Sequence, residues 1–227
     1  MARPPWRLVT VDIDGTLTLV HGWRALAERF GRTEHYERTM ARIRSRAAGE
    51  DETIASLVEI AMGRTIAEVE TVLAQTPKLA HIPEGVRRLH EEGIVAALLT
   101  HNPPYVTAWY RRFGGFDDAA GLGGTQATEP VIGPPVGLRA DKATGLAELL
   151  GRQDVRAEDT VHVGDARPDV AVFPRVGAGV LVNAKPPELE SDADLALRTT
   201  DFLDVVVGIL HLPRRRVNGA PGRAAVF

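Results

Sequence analysis

Two aspartates, Asp12 and Asp14, stand two residues apart just after the apolar run Leu8-Val9-Thr10-Val11, and Gly15 follows them. In regular strand geometry residues i and i+2 point to the same side. One carboxylate can then attack while its neighbour gives a proton to a leaving oxygen. A carboxylate is a competent nucleophile toward phosphoryl groups, forming an aspartyl phosphate. The neighbour that has given up its proton can next act as a base for hydrolysis. Three other segments carry groups able to support this pair: Thr100-His101-Asn102, Lys142, and Gly164-Asp165-Ala166-Arg167-Pro168-Asp169. Only three residues are lysines (Lys78, Lys142 and Lys185) in a chain that otherwise uses arginine for positive charge, so each lysine is a candidate for a specific role. Asp12, Asp14, Asp165 and Asp169 with Lys142 sum to a formal charge of about −3. Like charges at that density protonate or disrupt a site unless a cation joins them. The chain has no cysteine and shows no histidine ligand set, so an oxygen-preferring Mg²⁺ is expected rather than Zn²⁺. Such a cation beside a lysine and strand-end amides makes a phosphate-binding environment.

These groups meet only if the elements between them bring strand ends together. Leu8–Val11 is expected to be a strand, with Gly15 giving a sharp exit. From about 21 to 75 the pattern is helical, with breaks near Gly31, Gly49 and Gly63 and candidate N-caps at Thr33, Asp51 and Thr65. Strand and helix then alternate: helix 83–92, strand 94–99, helix 103–113, helix 141–150, strand 160–163, helix 168–176, strand 179–182 and helix 200–210. Residues 114–138, rich in Gly and Pro, are expected to be mostly loop with room for a hairpin. Repeated strand–helix units imply right-handed crossovers and an α/β fold: a doubly wound parallel sheet, Rossmann-like, with helices on both faces. The expected organisation is a catalytic core of 1–18 and 80–212, an inserted α-helical cap at 19–79, and a loose tail at 213–227. In open α/β sheets ligands bind beyond the carboxyl ends of the strands, where Asp12, Asp14, Thr100 and Asp165 all fall.

Composition bounds the alternatives. The chain has 227 residues, 44% hydrophobic and 25% charged, with a formal charge of −3. That excludes wholesale disorder and collagen-like or coiled-coil architectures. A near-neutral balance offers no whole-molecule attraction to nucleic acid or to an anionic membrane, and no apolar run is long enough to span a bilayer. The N-terminal apolar stretch is too short for a signal peptide. The expectation is a cytoplasmic protein, monomer or homodimer, whose partner is a small phosphorylated metabolite, with no nucleic-acid or membrane partner.

The motifs resemble those of the haloacid dehalogenase (HAD) superfamily of phosphatases. DIDGTLT (Asp12–Thr18) is similar to its first motif, Thr100 after VAALL to the second, Lys142 in ADKATG to the third, and GDARPD (Gly164–Asp169) to the fourth, in the same order. The stretch NAKPPELESDADLAL and the helical insertion are similar to the phosphoserine phosphatase branch with its first-type cap. The resemblance implies a phosphoric monoester hydrolase with Asp12 as nucleophile and metal ligand. It makes Asp14 the general acid/base, with its carbonyl on the metal, and gives Lys142 the neutralisation of phosphate charge. It places Asp165 on Mg²⁺ directly and Asp169 on it directly or through water. Thr16, Thr100, the amide of His101, and Asn102 would border the phosphate.

Departures from that branch bear on the substrate. A Ser-Gly-Gly second motif is replaced by Thr100-His101-Asn102, and Pro168 replaces an Asn. His21 stands near the position of the glutamate that holds the substrate ammonium, and the helix expected at 51–62 has no arginine for the carboxylate. The expected substrate is therefore a small phosphomonoester other than phosphoserine. His21 and Trp23, at the cap entrance, either touch it or serve as hinge and packing. Alternatives are a receiver-like phospho-acceptor module, which expects no helical insertion, and a phosphotransferase using the same site. A dehalogenase is disfavoured because that branch lacks the second aspartate.

Overall fold

The apolar tetrapeptide that opens the chain's core is strand β1 (Leu8–Val11), buried along its whole length. In the computed structural model, which describes residues 5–45, 49–121, 125–128, 131–136 and 141–214, it lies inside a six-stranded sheet. Its companions are β2 (Val95–Thr100), β3 (Asp118–Gly121), β6 (Thr160–Gly164), β7 (Ala178–Val182) and β8 (Leu195–Leu197), in the order β3-β2-β1-β6-β7-β8. Every pairing in the sheet is parallel. Parallel strands need crossovers, and those helices cover both faces. Val9 and Val11 face a core shared with α5 (Ile82–Glu91), α9 (Phe202–His211) and the helices of residues 22–75. Leu8, one residue out of phase, joins Leu99, Leu146 and Leu149 under α7 (Lys142–Gln153).

The doubly wound expectation is met, with differences of detail. β3 lies in the Gly-rich stretch expected to be mostly loop. It pairs with β2 through Ala97 to Thr100, and its DAAG sequence carries little strand propensity; the neighbouring sheet edge imposes the conformation. β8 was likewise unannounced. The helix expected at 168–176 is only α8 (Arg167–Val170) and a 3₁₀ turn at Phe173–Arg175. Pro174 inside it has no N–H to continue an α-helical ladder.

Between β1 and α5 stand α1 (Gly22–Arg29), α2 (Thr33–Arg44), α3 (Glu50–Val58) and α4 (Ile66–Gln75). Of the three expected N-caps only Thr65 caps: its hydroxyl accepts the Glu68 N–H while Glu68 reaches back, a capping box of about 1 kcal/mol. The entry and exit of this helical block run side by side. Leu19 N–H donates to the Pro77 carbonyl (2.9 Å) and Leu79 N–H to the Leu17 carbonyl (2.9 Å). The hairpin β4 (Thr125–Thr128) and β5 (Val131–Pro135) leans on the block: Gly63 N–H donates to Ile132 O and Ile132 N–H to Arg64 O, both 2.8 Å. Sequence reasoning had placed this segment with the core alone. Of the basic tail, Arg214 bonds the Pro5 carbonyl and pairs with Asp159; residues 215–227, with Arg215 and Arg216, lie outside the described residues.

Candidate active site

β1 ends at Val11, so Asp12 and Asp14 sit beyond the strand, and pleat geometry does not orient them. Asp12 N–H still donates to Val163 O (2.9 Å), holding its backbone at the sheet end. Gly15 then takes φ +82°, a left-handed conformation that L side chains disfavour. The N–H groups of Thr16, Leu17 and Thr18 all close onto the Ile13 carbonyl. A Cβ at Gly15 would collide with the Asp165 carboxylate, so glycine lets this turn approach the acidic cluster. The turn aims the two aspartates differently. Asp12 faces Lys142, whose Nζ lies 3.2 Å from its Oδ1. Asp14 accepts the Gly22 N–H at 2.6 Å on Oδ1 and the Asn102 side-chain amide at 2.8 Å on Oδ2. One carboxylate belongs to the cluster, and the other bridges the start of α1 and the end of β2.

Asn102 does not cap α6 (Pro104–Gly114), whose N-cap is Pro103. Its side chain is buried between Asp14 and Thr100, donating to Thr100 Oγ1 at 3.0 Å. Thr100 Oγ1 also accepts the Asn102 N–H at 3.3 Å, which leaves its own O–H to point elsewhere. Thr16 Oγ1 donates to Asp165 Oδ1 at 3.4 Å.

Lys142 is the first residue of α7, and Asp141 before it caps the helix by accepting the Ala143 N–H (2.8 Å). Only 4% of Lys142 is exposed. Its Nζ donates to Asp169 Oδ1 at 2.5 Å. Burial disfavours the ammonium, yet Asp12 and Asp169 outweigh it and hold the Lys142 pKa above its ordinary value.

Asp169 is fully saturated. Oδ1 takes Lys142 and His162 Nε2 (3.0 Å), and Oδ2 takes the N–H groups of Asp165 and Ala166 (3.1 Å each). Burial alone would raise its pKa; Lys142 and the His162 hydrogen bond reverse the sign and hold it well below the usual carboxylate range. Asp12 and Asp165 have the opposite balance. Burial pushes both carboxyls up, and the neighbouring carboxylates add to the push on each. Oxygens of Asp12, Asp165 and Asp169 lie within 4.8 Å of one another.

His162 is the residue that sequence reasoning missed. It is fully buried in β6, directly across from Thr10 in the register. A carboxylate can only accept, so Nε2 carries a proton toward Asp169, and Nδ1 hydrogen-bonds with Thr10 Oγ1 at 2.9 Å. A continuous chain Thr10–His162–Asp169–Lys142–Asp12 results. The available signal was a histidine interrupting the apolar TVHVG, seven residues before Asp169.

A cavity of about 530 Å³ opens above these groups, within the range of small-molecule sites. Asp12, Asp14, Thr100, His101, Asn102, Lys142, Asp165 and Asp169 line its floor, and His21 and Trp23 its wall. All predicted site residues except Thr16 line it; Thr16 stands behind Asp165. His21 precedes α1, with its ring leaning on Tyr36 (centroids 5.7 Å) and a buried Nδ1 that lacks a hydrogen-bond partner. Arg24, near it in sequence, pairs with Glu28 on the surface. Arg167 and Lys185 complete the rim.

A parallel α/β sheet with carboxylates, a buried lysine and a hydroxyl gathered at its strand ends defines a hydrolase of the Rossmann-like class. The haloacid dehalogenase-like hydrolase family matches over residues 6–177, and the chain belongs to that family. It is similar to the phosphoserine phosphatase of Archaeoglobus fulgidus, 25% identical over 211 residues, which cover 91% of this chain; the chain spans about 60% of that relative's length. Its fold is similar to a HAD family hydrolase from Salmonella enterica serovar Typhi (TM-score 0.81, 14% identity, 92% of this chain and 73% of that one). It also resembles a substrate-bound phosphoserine phosphatase (TM-score 0.76, 19% identity, 89% and 98% covered). No helix among the described residues is long and apolar enough to cross a membrane.

Proposed function

We propose that the protein is a Mg²⁺-dependent phosphatase that hydrolyses a small phosphomonoester other than phosphoserine through an aspartyl phosphate on Asp12. The observation that carries this reading is the unequal treatment of the carboxylates. Asp169 is spent on Lys142, His162 and two amides, while Asp12 and Asp165 accept fewer hydrogen bonds and are crowded by neighbouring carboxylates. An all-oxygen donor pair of that kind fits a hard divalent cation. Asp12 and Asp165 would hold it, together with the Asp14 carbonyl. When bound, the cation offsets carboxylate charge and polarises phosphoryl oxygens. Asp169 is better suited to fixing Lys142 than to direct ligation, because both its oxygens are occupied.

The residues then divide the work. Thr100 Oγ–H, the His101 N–H and Lys142 hold the phosphoryl oxygens. Asp12 Oδ attacks phosphorus, and the ester P–O bond breaks. Asp14, clamped by Gly22 N–H and Asn102, gives its proton to the departing alkoxide. Ionised Asp14 next takes a proton from water, the resulting hydroxide attacks phosphorus, and the Asp12–phosphorus bond breaks to release inorganic phosphate. The helices 22–75 act as a cap that selects the substrate and excludes water. Such a block has no place in a receiver-like module.

The test is release of phosphate from p-nitrophenyl phosphate by the full chain. Turnover with Mg²⁺, its abolition by EDTA and its restoration by added Mg²⁺ are expected. Hydrolysis that persists in EDTA, or none under any metal condition, refutes the reading.

A further inference from the structure

The roof of the cavity differs in kind from its floor. Its lining from the helical block is Trp23 of α1, Met40 and Ile43 of α2, and Thr53, Ile54 and Leu57 of α3. Its polar groups are the Thr53 hydroxyl, the Trp23 indole N–H and, at the start of α1, the His21 imidazole; no charged side chain of α1–α3 lines the cavity among the described residues. Several polar side chains of α2 and α3 are engaged with one another. Arg42 pairs with Glu52 and Arg38 with Glu34. Thr39 Oγ1 meets Ser56 Oγ at 2.6 Å, and His35 Nε2 meets the Ser56 carbonyl at 2.7 Å. A substrate carrying an ammonium, or several hydroxyls, would leave them unpaired against this surface, which costs binding.

Charge points the same way. The floor and rim hold four carboxylates (Asp12, Asp14, Asp165 and Asp169) and three cations (Lys142, Arg167 and Lys185). With Asp14 protonated, as its role as the acid requires, a divalent ion brings the total to about two positive charges, and a phosphomonoester dianion takes it to about zero. No positive charge is left over for a second anion.

We infer that the cavity takes a phosphomonoester of an uncharged, mainly apolar alcohol, branched-alkyl or aryl-substituted, with the phosphate on the floor and the hydrocarbon under Trp23, Ile54 and Leu57. The inference rests on the phosphatase reading above and adds the substrate class. Burying about two extra methylene groups corresponds to roughly a tenfold gain in transition-state binding.

The experiment measures kcat/KM of the Mg²⁺-loaded full chain on primary alkyl esters of similar leaving-group basicity. Isoamyl phosphate and benzyl phosphate are set against glycerol 3-phosphate, ribose 5-phosphate and phosphoserine. The apolar esters are expected to be at least about tenfold better. Leu57→Asn should narrow that ratio toward unity. Ile43→Thr, at a half-buried position that tolerates substitution more readily, should narrow it as well and serves if L57N fails to fold. A polar ester turned over as well as the apolar ones, or a ratio unmoved in a folded variant, overturns the substrate class alone. Failure to hydrolyse any ester, p-nitrophenyl phosphate included, overturns the phosphatase reading instead.

Discussion

Floor and roof of the same cavity are built on opposite rules. On the floor Asp14, Asn102, Lys142 and Asp169 all have named partners, and the chain from Thr10 through His162, Asp169 and Lys142 to Asp12 runs through buried side chains. Such networks hold one geometry, because breaking any link leaves a buried polar group unsatisfied. The roof presents mostly hydrocarbon, with the Thr53 hydroxyl and the rings of Trp23 and His21, a surface that accepts many shapes at modest cost. Chemistry that needs sub-ångström placement sits on strand ends and a capped helix. Selection, worth only tens- to a hundredfold in an apolar pocket, is left to helices outside the sheet.

The floor is most sensitive at Lys142, where its ion pairs meet. Replacing Lys142 with Met removes the cation shared by Asp12 and Asp169, and kcat should fall by about 10²–10³-fold, the range for losing one preorganised charge stabiliser. A roof substitution that cost as much would erase the distinction between the regions.

A smaller effect is expected one link farther back. His162→Leu removes one of the two donors to Asp169 Oδ1 and leaves Thr10 Oγ1 with only the Val161 carbonyl at 3.4 Å, costing about 1–3 kcal/mol of stability and roughly tenfold in kcat through a less fixed Lys142. His162→Gln keeps an N–H donor and should recover part of the kcat. Equal losses in both variants, appearing in Tm alone, would reduce His162 to packing.

The smallest effect lies at the far end of the Lys142 helix. Asp118 of β3 accepts Arg152 Nε (2.9 Å), Arg152 Nη2 (3.0 Å) and Gln153 Nε2 (2.8 Å). Burial would raise its pKa, but these donors, with Arg152 foremost, hold it below the ordinary value. With the folded pKa lower than the unfolded one, the stabilisation is complete above about pH 4 and fades as pH falls through the folded pKa. Asp118→Asn should therefore cost about 1 kcal/mol or less at pH 7 and converge with the parent protein in denaturant titrations as the pH is lowered through the folded pKa. A difference that grows on acidification would contradict the assignment.

Sequence alone carried the floor further than the roof. Asp12, Asp14, Thr100 and Asp165 were readable because strand-end chemistry follows from the alternation of apolar runs and Gly turns, and Lys142 because lysine is scarce in this chain and ADKATG resembles a family motif. His162 and Thr10 were hidden, since a cross-strand pair depends on register that no local pattern encodes. The full use of both Asp169 oxygens was equally invisible, because it depends on where α7 and β6 dock. β3 escaped notice because DAAG becomes a strand only beside β2. The apolar residues of α2 and α3 read as ordinary helical core; only packing shows which of them meet the cavity.

The most direct test of the central claim is chemical trapping on Asp12. The enzyme would be acid-quenched during turnover of a ³²P-labelled ester, digested and mapped. An acid-stable, hydroxylamine-labile label is expected on the peptide containing Asp12, absent from Asp12→Asn, which should also release no phosphate above background. Label on another residue, or undiminished phosphate release from D12N, would contradict it.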